Sequence, residues 1–216
     1  MSKPELHYIA IEGVIGVGKT TMTHMLANRI NAKLVLEEFE DNPFLEKFYE
    51  DPVHYGFQTQ VSFLMSRVRQ QQKLRNYDLF HEYLISDYIF DKDRIFATIN
   101  LKDEELELYE TIASVLEKNI IAPDLVIYLQ SSVDRLMENI QQRNRMNEYK
   151  ITRKYLEELT EAYNYFFFRY QRSPVLIINS TEIDFVNDHT HFEELIEQIL
   201  HRPHTGIEYY IPSGGK

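Results

Sequence analysis

The chain is 216 residues long, which suits one domain with a core of its own, and its lack of cysteine excludes a disulfide framework, a thiol nucleophile and a zinc ribbon. A formal net charge of −11 argues against a nucleic-acid surface, because neutralising phosphates takes clustered lysine and arginine. No apolar stretch approaches a membrane span and the N-terminal residues lack a signal-peptide core, so a soluble cytoplasmic protein is expected, with one domain over residues 1–203 and an irregular tail over 204–216.

The first element is a nearly continuous apolar run, Leu6 to Ile11, the pattern of a buried parallel strand. It feeds into Gly13-Val14-Ile15-Gly16-Val17-Gly18-Lys19-Thr20, which matches G-x-x-x-x-G-K-[ST], and three of the chain's seven glycines fall inside it. From about Gly18 a helix is expected, since Met22, Met25, Leu26 and Ile30 recur at helical spacing. Such a strand, loop and helix start aim backbone N–H groups and the positive end of a dipole at an anion, while Lys19 reaches the β- and γ-phosphates and Thr20 can hold Mg²⁺. Gly13, Gly16, Val17, Gly18, Lys19, Thr20 and Thr21 are therefore candidates for binding a nucleoside triphosphate.

Four more short runs read as strands: Lys33 to Leu36, Tyr83 to Ser86, Asp124 to Leu129 and Pro174 to Ile178. Helical patterns alternate with them, which predicts an α/β fold with a five-stranded parallel sheet and helices on both faces. Ligands of such sheets bind beyond the carboxyl ends of the strands, so the loop at Gly13, Glu37 with Glu38, Asp87, Ser131 and Asn179 mark the functional edge. Between the second and third strands, the spacing predicts a helix over Tyr55 to Lys73 with Phe57, Val61, Leu64, Met65 and Val68 in one apolar stripe. Gln58 borders that stripe, either as a ligand-binding amide or as a satisfied boundary residue.

After the fourth strand, Ser131-Ser132-Val133-Asp134 resembles a capping box opening a helix that ends in Arg143-Asn144-Arg145. The two arginines, followed by Glu148 and a break before Thr152, read either as a small mobile lid over phosphates or as a solvated basic patch. The next helix carries Leu156, Leu159, Tyr163, Phe166, Phe167 and Tyr170, an aromatic stripe expected in the core or at a subunit interface. His189, His191, His201 and His204 lack zincin spacing and predict no metal site.

A phosphate loop alone implies only a nucleoside triphosphate; a kinase also needs a group for the acceptor hydroxyl, a metal-coordinating carboxylate and cations for the transferring phosphoryl. Candidates follow three strands: Glu37, Asp87, and Arg143 with Arg145. The chain resembles the deoxynucleoside kinase family, and within it the bacterial deoxyguanosine/deoxyadenosine kinase branch. The resemblance spans nearly the whole length through Ile11-Glu12-Gly13 to Thr21, Glu37 ahead of Asn42-Pro43-Phe44-Leu45, Phe48-Tyr49-Glu50-Asp51-Pro52, Phe57-Gln58, Ser86-Asp87-Tyr88, Lys92-Asp93-Arg94-Ile95-Phe96-Ala97, Arg143-Asn144-Arg145 with Glu148, Tyr155-Leu156 and Asp184-Phe185.

The resemblance implies a P-loop kinase fold with an arginine lid, and transfer of the ATP γ-phosphoryl, with Mg²⁺, to the 5′-hydroxyl of a 2′-deoxynucleoside, purines favoured. It implies Glu37 as general base, Tyr49 and Glu148 on the 3′-hydroxyl, and Gln58 on the nucleobase with Val61, Met65 and Phe90 as pocket walls. It further implies Thr20 and Asp87 toward the metal, Lys19, Arg143 and Arg145 toward the phosphates, Asp184-Phe185 around the donor adenine, and a homodimer. Two positions depart from the family pattern. Asp87-Tyr88-Ile89 lacks the arginine that usually follows the acidic residue, leaving Arg94 to replace it, and Asn139 stands where many lids carry another arginine. A nucleoside monophosphate as acceptor would need further cations, and no Asn-Lys-x-Asp guanine signature of a switch protein occurs.

Overall fold

The computed structural model describes residues 6–38, 41–74, 81–144, 150–181, 185–186 and 188–210. The chain opens with β1 (Tyr8–Gly13), buried along its whole length, then α1 (Lys19–Ile30) and the short β2 (Lys33–Val35). The helices α2 (Leu45–Glu50) and α3 (Pro52–Leu74) precede β3 (Leu84–Ser86), followed by α4 (Lys92–Asn100) and α5 (Asp103–Leu116). The second half alternates as β4 (Leu125–Gln130), α6 (Val133–Arg143), α7 (Arg153–Arg169), β5 (Val175–Asn179), α8 (His189–His201) and β6 (Ile207–Tyr210).

The strands form one six-stranded parallel sheet in the order β2-β3-β1-β4-β5-β6. Five strands were expected, and the sixth lies where an irregular tail was expected. Gly206 only turns the chain: the Val175 N–H donates to its carbonyl at 2.8 Å, and Ile207 pairs with Val175 at the sheet edge. A four-residue strand carries too short an alternation to stand out from sequence.

The register explains where ligands can bind. Val35 pairs with Ser86, so β2 and β3 end level, while β1 runs three residues past Ala10, which also pairs with Ser86, to end at Gly13 beside Leu129 of β4. The chain leaves β1 toward β2 and β3 on one side and crosses to β4 on the other, which makes the carboxyl end of β1 the topological switch point.

Two apolar clusters hold these elements. The larger surrounds the sheet and takes in Ile9, Ile11, Ile127, Leu129, Ile178, Leu159, Tyr163 and Phe167; the smaller joins α3, α4 and α5 through Leu64, Val68, Phe90, Ala97, Leu101, Tyr109 and Ala113. Glu12 is buried at the seam, accepting from the N–H of Gly13 at 2.9 Å, the N–H of Ile89 at 3.1 Å and the hydroxyl of Tyr163 at 3.2 Å. Burial pushes its carboxyl pKa up, against the pull of Lys92 and Lys19. One side chain thereby ties the end of β1, the loop after β3 and α7 together.

Candidate active site

The turn out of β1 is built for close approach. At Gly16, φ is +88°, and a Cβ there would stand 2.9 Å from the Leu136 carbonyl and 2.9 Å from Ile140 Cγ1 on α6. Asn139 donates from Nδ2 to the Gly16 carbonyl at 2.8 Å, so the residue standing in place of a lid arginine instead fastens α6 to the loop. Lys19 folds back and donates to the carbonyls of Gly13 at 2.7 Å and Val14 at 3.2 Å. Burial, and then the neighbouring Lys92 ammonium, lower the Lys19 pKa to about 8. A phosphate arriving at this loop would meet a lysine with much to gain from a counter-charge.

Because β2 and β3 end level, Glu37 and Asp87 meet. The Glu37 N–H donates to Asp87 Oδ1 at 2.7 Å, and the Thr20 hydroxyl donates to Asp87 Oδ2 at 3.1 Å, which joins the start of α1 to both strand ends. The Glu37 carboxylate accepts from Lys92 Nζ at 2.5 Å and from Arg67 Nη2, and Arg67 also pairs with Asp93. Burial alone would raise the Glu37 pKa, but Lys92 and Arg67 outweigh it and hold the group at about 2.

These residues line one cavity of about 1140 Å³. Gly16 to Thr21, Asn139 and Arg143, with Thr181 and Phe185, border it on the side of the phosphate loop; Glu37, Asp87, Tyr49, Gln60, Phe63, Arg67, Lys92, Asp93 and Phe96 border it on the other. The Phe185 ring lies beside Gly18, where a Cβ would be 3.7 Å from it. Gly13 sits beneath the loop, where a Cβ would come within 2.5 Å of the Leu129 carbonyl. Thr59, Gln60 and Asp93 also line the cavity, and Thr59 Oγ1, Gln60 Oε1 and Asp93 Oδ2 are buried atoms without a hydrogen-bond partner among the described residues.

Several expectations about the acceptor wall need correction. Gln58 is exposed and does not line the cavity; Gln60 does, because two residues turn a helix by about 200°. Val61 and Phe90 belong to the cluster between α3, α4 and α5, and Met65 is 40 % exposed, so none of the three forms a wall. Arg94 pairs with Glu110 at 3.0 Å and Glu117 at 2.7 Å, away from the cavity, and Tyr88 is wholly buried with Arg67 over its ring. Arg145, Glu148 and Asp184 lie outside the described residues. The residues missed from sequence are Gln60, Phe63, Arg67, Lys92 and Phe96. Gln60, Phe63 and Arg67 recur at i, i+3 and i+7, a signal overshadowed by the apolar stripe on the other side of the same helix.

Residues 9–202 match the family model described as deoxynucleoside kinase. The chain belongs to the deoxynucleoside kinase family. This deoxynucleoside kinase is an enzyme, an ATP-dependent phosphotransferase. It is 34 % identical over 197 residues to a deoxyguanosine kinase of Bacillus subtilis, covering 89 % of this chain and 95 % of that one. A deoxyadenosine/deoxycytidine kinase of the same organism is 30 % identical over 203 residues, covering 91 % and 93 %. Among solved structures, the deoxyadenosine kinase of M. mycoides with bound dATP superposes with a TM-score of 0.79 at 26 % identity, over 89 % of this kinase and 98 % of that chain.

Proposed function

We propose that this kinase moves the γ-phosphoryl of ATP to the 5′-hydroxyl of a 2′-deoxynucleoside, with purines, deoxyguanosine or deoxyadenosine, preferred. What supports the reading is one arrangement: the Glu37 carboxylate stands in a single cavity between the phosphate loop and a wall that carries Gln60 and Asp93, both with acceptor oxygens. Those acceptors suit a base edge that offers an exocyclic amino group, as guanine, adenine and cytosine do and thymine does not. The relatives named for deoxyguanosine and for deoxyadenosine/deoxycytidine are named for bases that carry such an amino group.

In this reading Glu37, ionised and aimed by Lys92 and Arg67, accepts the 5′-hydroxyl proton as the oxygen bonds to the γ-phosphorus. The bridging bond to the β-phosphate breaks, and its electron pair leaves with ADP. Lys19 and Arg143, with Arg145, gather charge on the phosphates, while Tyr49 and Glu148 hold the 3′-hydroxyl and Asp184 with Phe185 flank the donor base. The hydroxyl of Thr20 and the carboxylate of Asp87 form a pair of hard oxygens beside the loop and would hold Mg²⁺ together with phosphate oxygens and water. When bound, that ion neutralises charge on the β- and γ-phosphates. Most of the acceleration then comes from alignment and electrostatics.

The test compares deoxyguanosine, deoxyadenosine, deoxycytidine and thymidine at fixed ATP·Mg²⁺, following ADP release. The expected order places a purine first and thymidine last; a thymidine preference would sink the base reading. Tyr165 and Phe168 on α7 are 64 % and 70 % exposed while Tyr163 and Phe167 fill the core, and we propose that this outer face of the helix joins two copies. Sedimentation should then give a dimer that Phe168→Glu splits; a monomeric parent would refute it.

A further inference from the structure

Where the proton of an attacking hydroxyl departs ahead of bond formation to phosphorus, negative charge is left at the acceptor oxygen, and positive charge then helps at the attacking end as well as at the leaving end. The cations lining the cavity divide accordingly. Lys19 sits within the phosphate loop, and Arg135 and Arg143 stand on α6 beside it. On the acceptor wall, among the described residues, there are two, Arg67 and Lys92. Arg67 is committed on both sides, its guanidinium bridging the Glu37 and Asp93 carboxylates.

Lys92 is placed differently. It is the first residue of α4, only 6 % exposed, and its ammonium reaches Glu37 Oε2 at 2.5 Å with the Phe96 ring 5.9 Å away. An ammonium carries three donors, and the bond to Glu37 occupies one. Burial of so polar a group is costly and is tolerated where its charge is compensated, here by Glu37 and Glu12. Neither side of it offers an alternative, since Tyr88 before it turns into the core and Arg94, further along α4, is held outside by Glu110 and Glu117.

We propose that Lys92 is a catalytic residue, the cation that sets the Glu37 carboxylate on the acceptor hydroxyl and neutralises charge at the attacking oxygen as its bond to phosphorus forms. This rests on Glu37 being the proton acceptor. Lys92 keeps its own protons throughout: the hydroxyl proton passes to Glu37, and the electron pair of the broken bridge departs with ADP.

The experiment measures kcat, both KM values and ATP binding by calorimetry for the parent, Lys92→Met, Lys92→Cys and Glu37→Gln with deoxyguanosine and ATP·Mg²⁺. Because the chain contains no cysteine, aminoethylation of Lys92→Cys returns an ammonium to that position alone. Lys92→Met is expected to lose about a hundredfold in kcat, the scale of one removed transition-state donor, with ATP affinity changed less than about threefold. Aminoethylated Lys92→Cys is expected to recover at least about tenfold of that loss. Lys92→Met within about threefold of the parent in kcat, beside an inactive Glu37→Gln, would overturn the Lys92 assignment and leave the base standing. Full activity in Glu37→Gln beside a crippled Lys92→Met would instead remove the base and keep the cation. An aminoethylated variant that binds ATP normally yet stays inactive would also overturn the assignment.

Discussion

Glu37 is the residue to which the proposed reading gives the proton, and its environment makes a prediction that needs no substrate. Burial opposes its charge, yet Lys92 and Arg67 hold its pKa at about 2, below the ordinary 4.5. A carboxylate depressed in the folded state contributes stability that is present above its unfolded value and is lost as pH falls through the folded one. The stability difference between the parent and Glu37→Gln should therefore be constant above about pH 5 and shrink steadily toward pH 2, as read by urea denaturation across that range. A difference independent of pH would show that the two cations do not hold this group ionised. The type of residue at position 37 was legible in the sequence, because an acidic side chain follows a strand at the ligand-binding edge. Its partners were not, since Arg67 and Lys92 arrive from helices 30 and 55 residues further on.

At the scale of the element, α3 decides which amide faces the cavity. The helix presents Phe57, Val61, Leu64 and Val68 to α4 and α5, and Gln60, Phe63 and Arg67 to the cavity. An apolar periodicity identifies the buried stripe, but it cannot say that the other side of the helix lines a cavity. Gln60→Ala should raise the KM for deoxynucleosides by about tenfold, the worth of one buried hydrogen bond, with the KM for ATP unchanged. Gln58→Ala should leave both within about twofold, because an exposed side chain has no partner to lose. Steady-state kinetics on the two variants distinguishes the faces, and the reverse outcome would return the base contact to Gln58. Other elements were legible because their signals are local: the glycine spacing of the phosphate loop, and the capping signature over Ser131 to Asp134 that marks the start of α6, where the cap is Ser132, accepting from the N–H of Arg135.

For the whole molecule, the sheet edge beyond β5 is the region where sequence and structure parted. β6 covers β5 through Val175 to Ile178 paired with Ile207 to Tyr210, and the Tyr210 hydroxyl reaches Glu194 on α8 at 3.2 Å. Ending the chain after Pro203 should lower the Tm by several degrees and promote aggregation in light scattering, because the freed β5 edge would present unpaired N–H and C=O groups. A truncated chain as stable and monodisperse as the full one would mean that β6 adds nothing. No helix among the described residues is long and apolar enough to cross a membrane. By itself the sequence determined the strands β1 to β5, the phosphate loop and the acidic residues after β2 and β3, because each is written in contiguous residues whose periodicity or glycine placement has one physical reading. Only the tertiary structure decided that β6 completes the sheet, that Gln60 rather than Gln58 faces the cavity, and that Lys92 rather than Arg94 meets Glu37, since each depends on the angle at which separate elements pack.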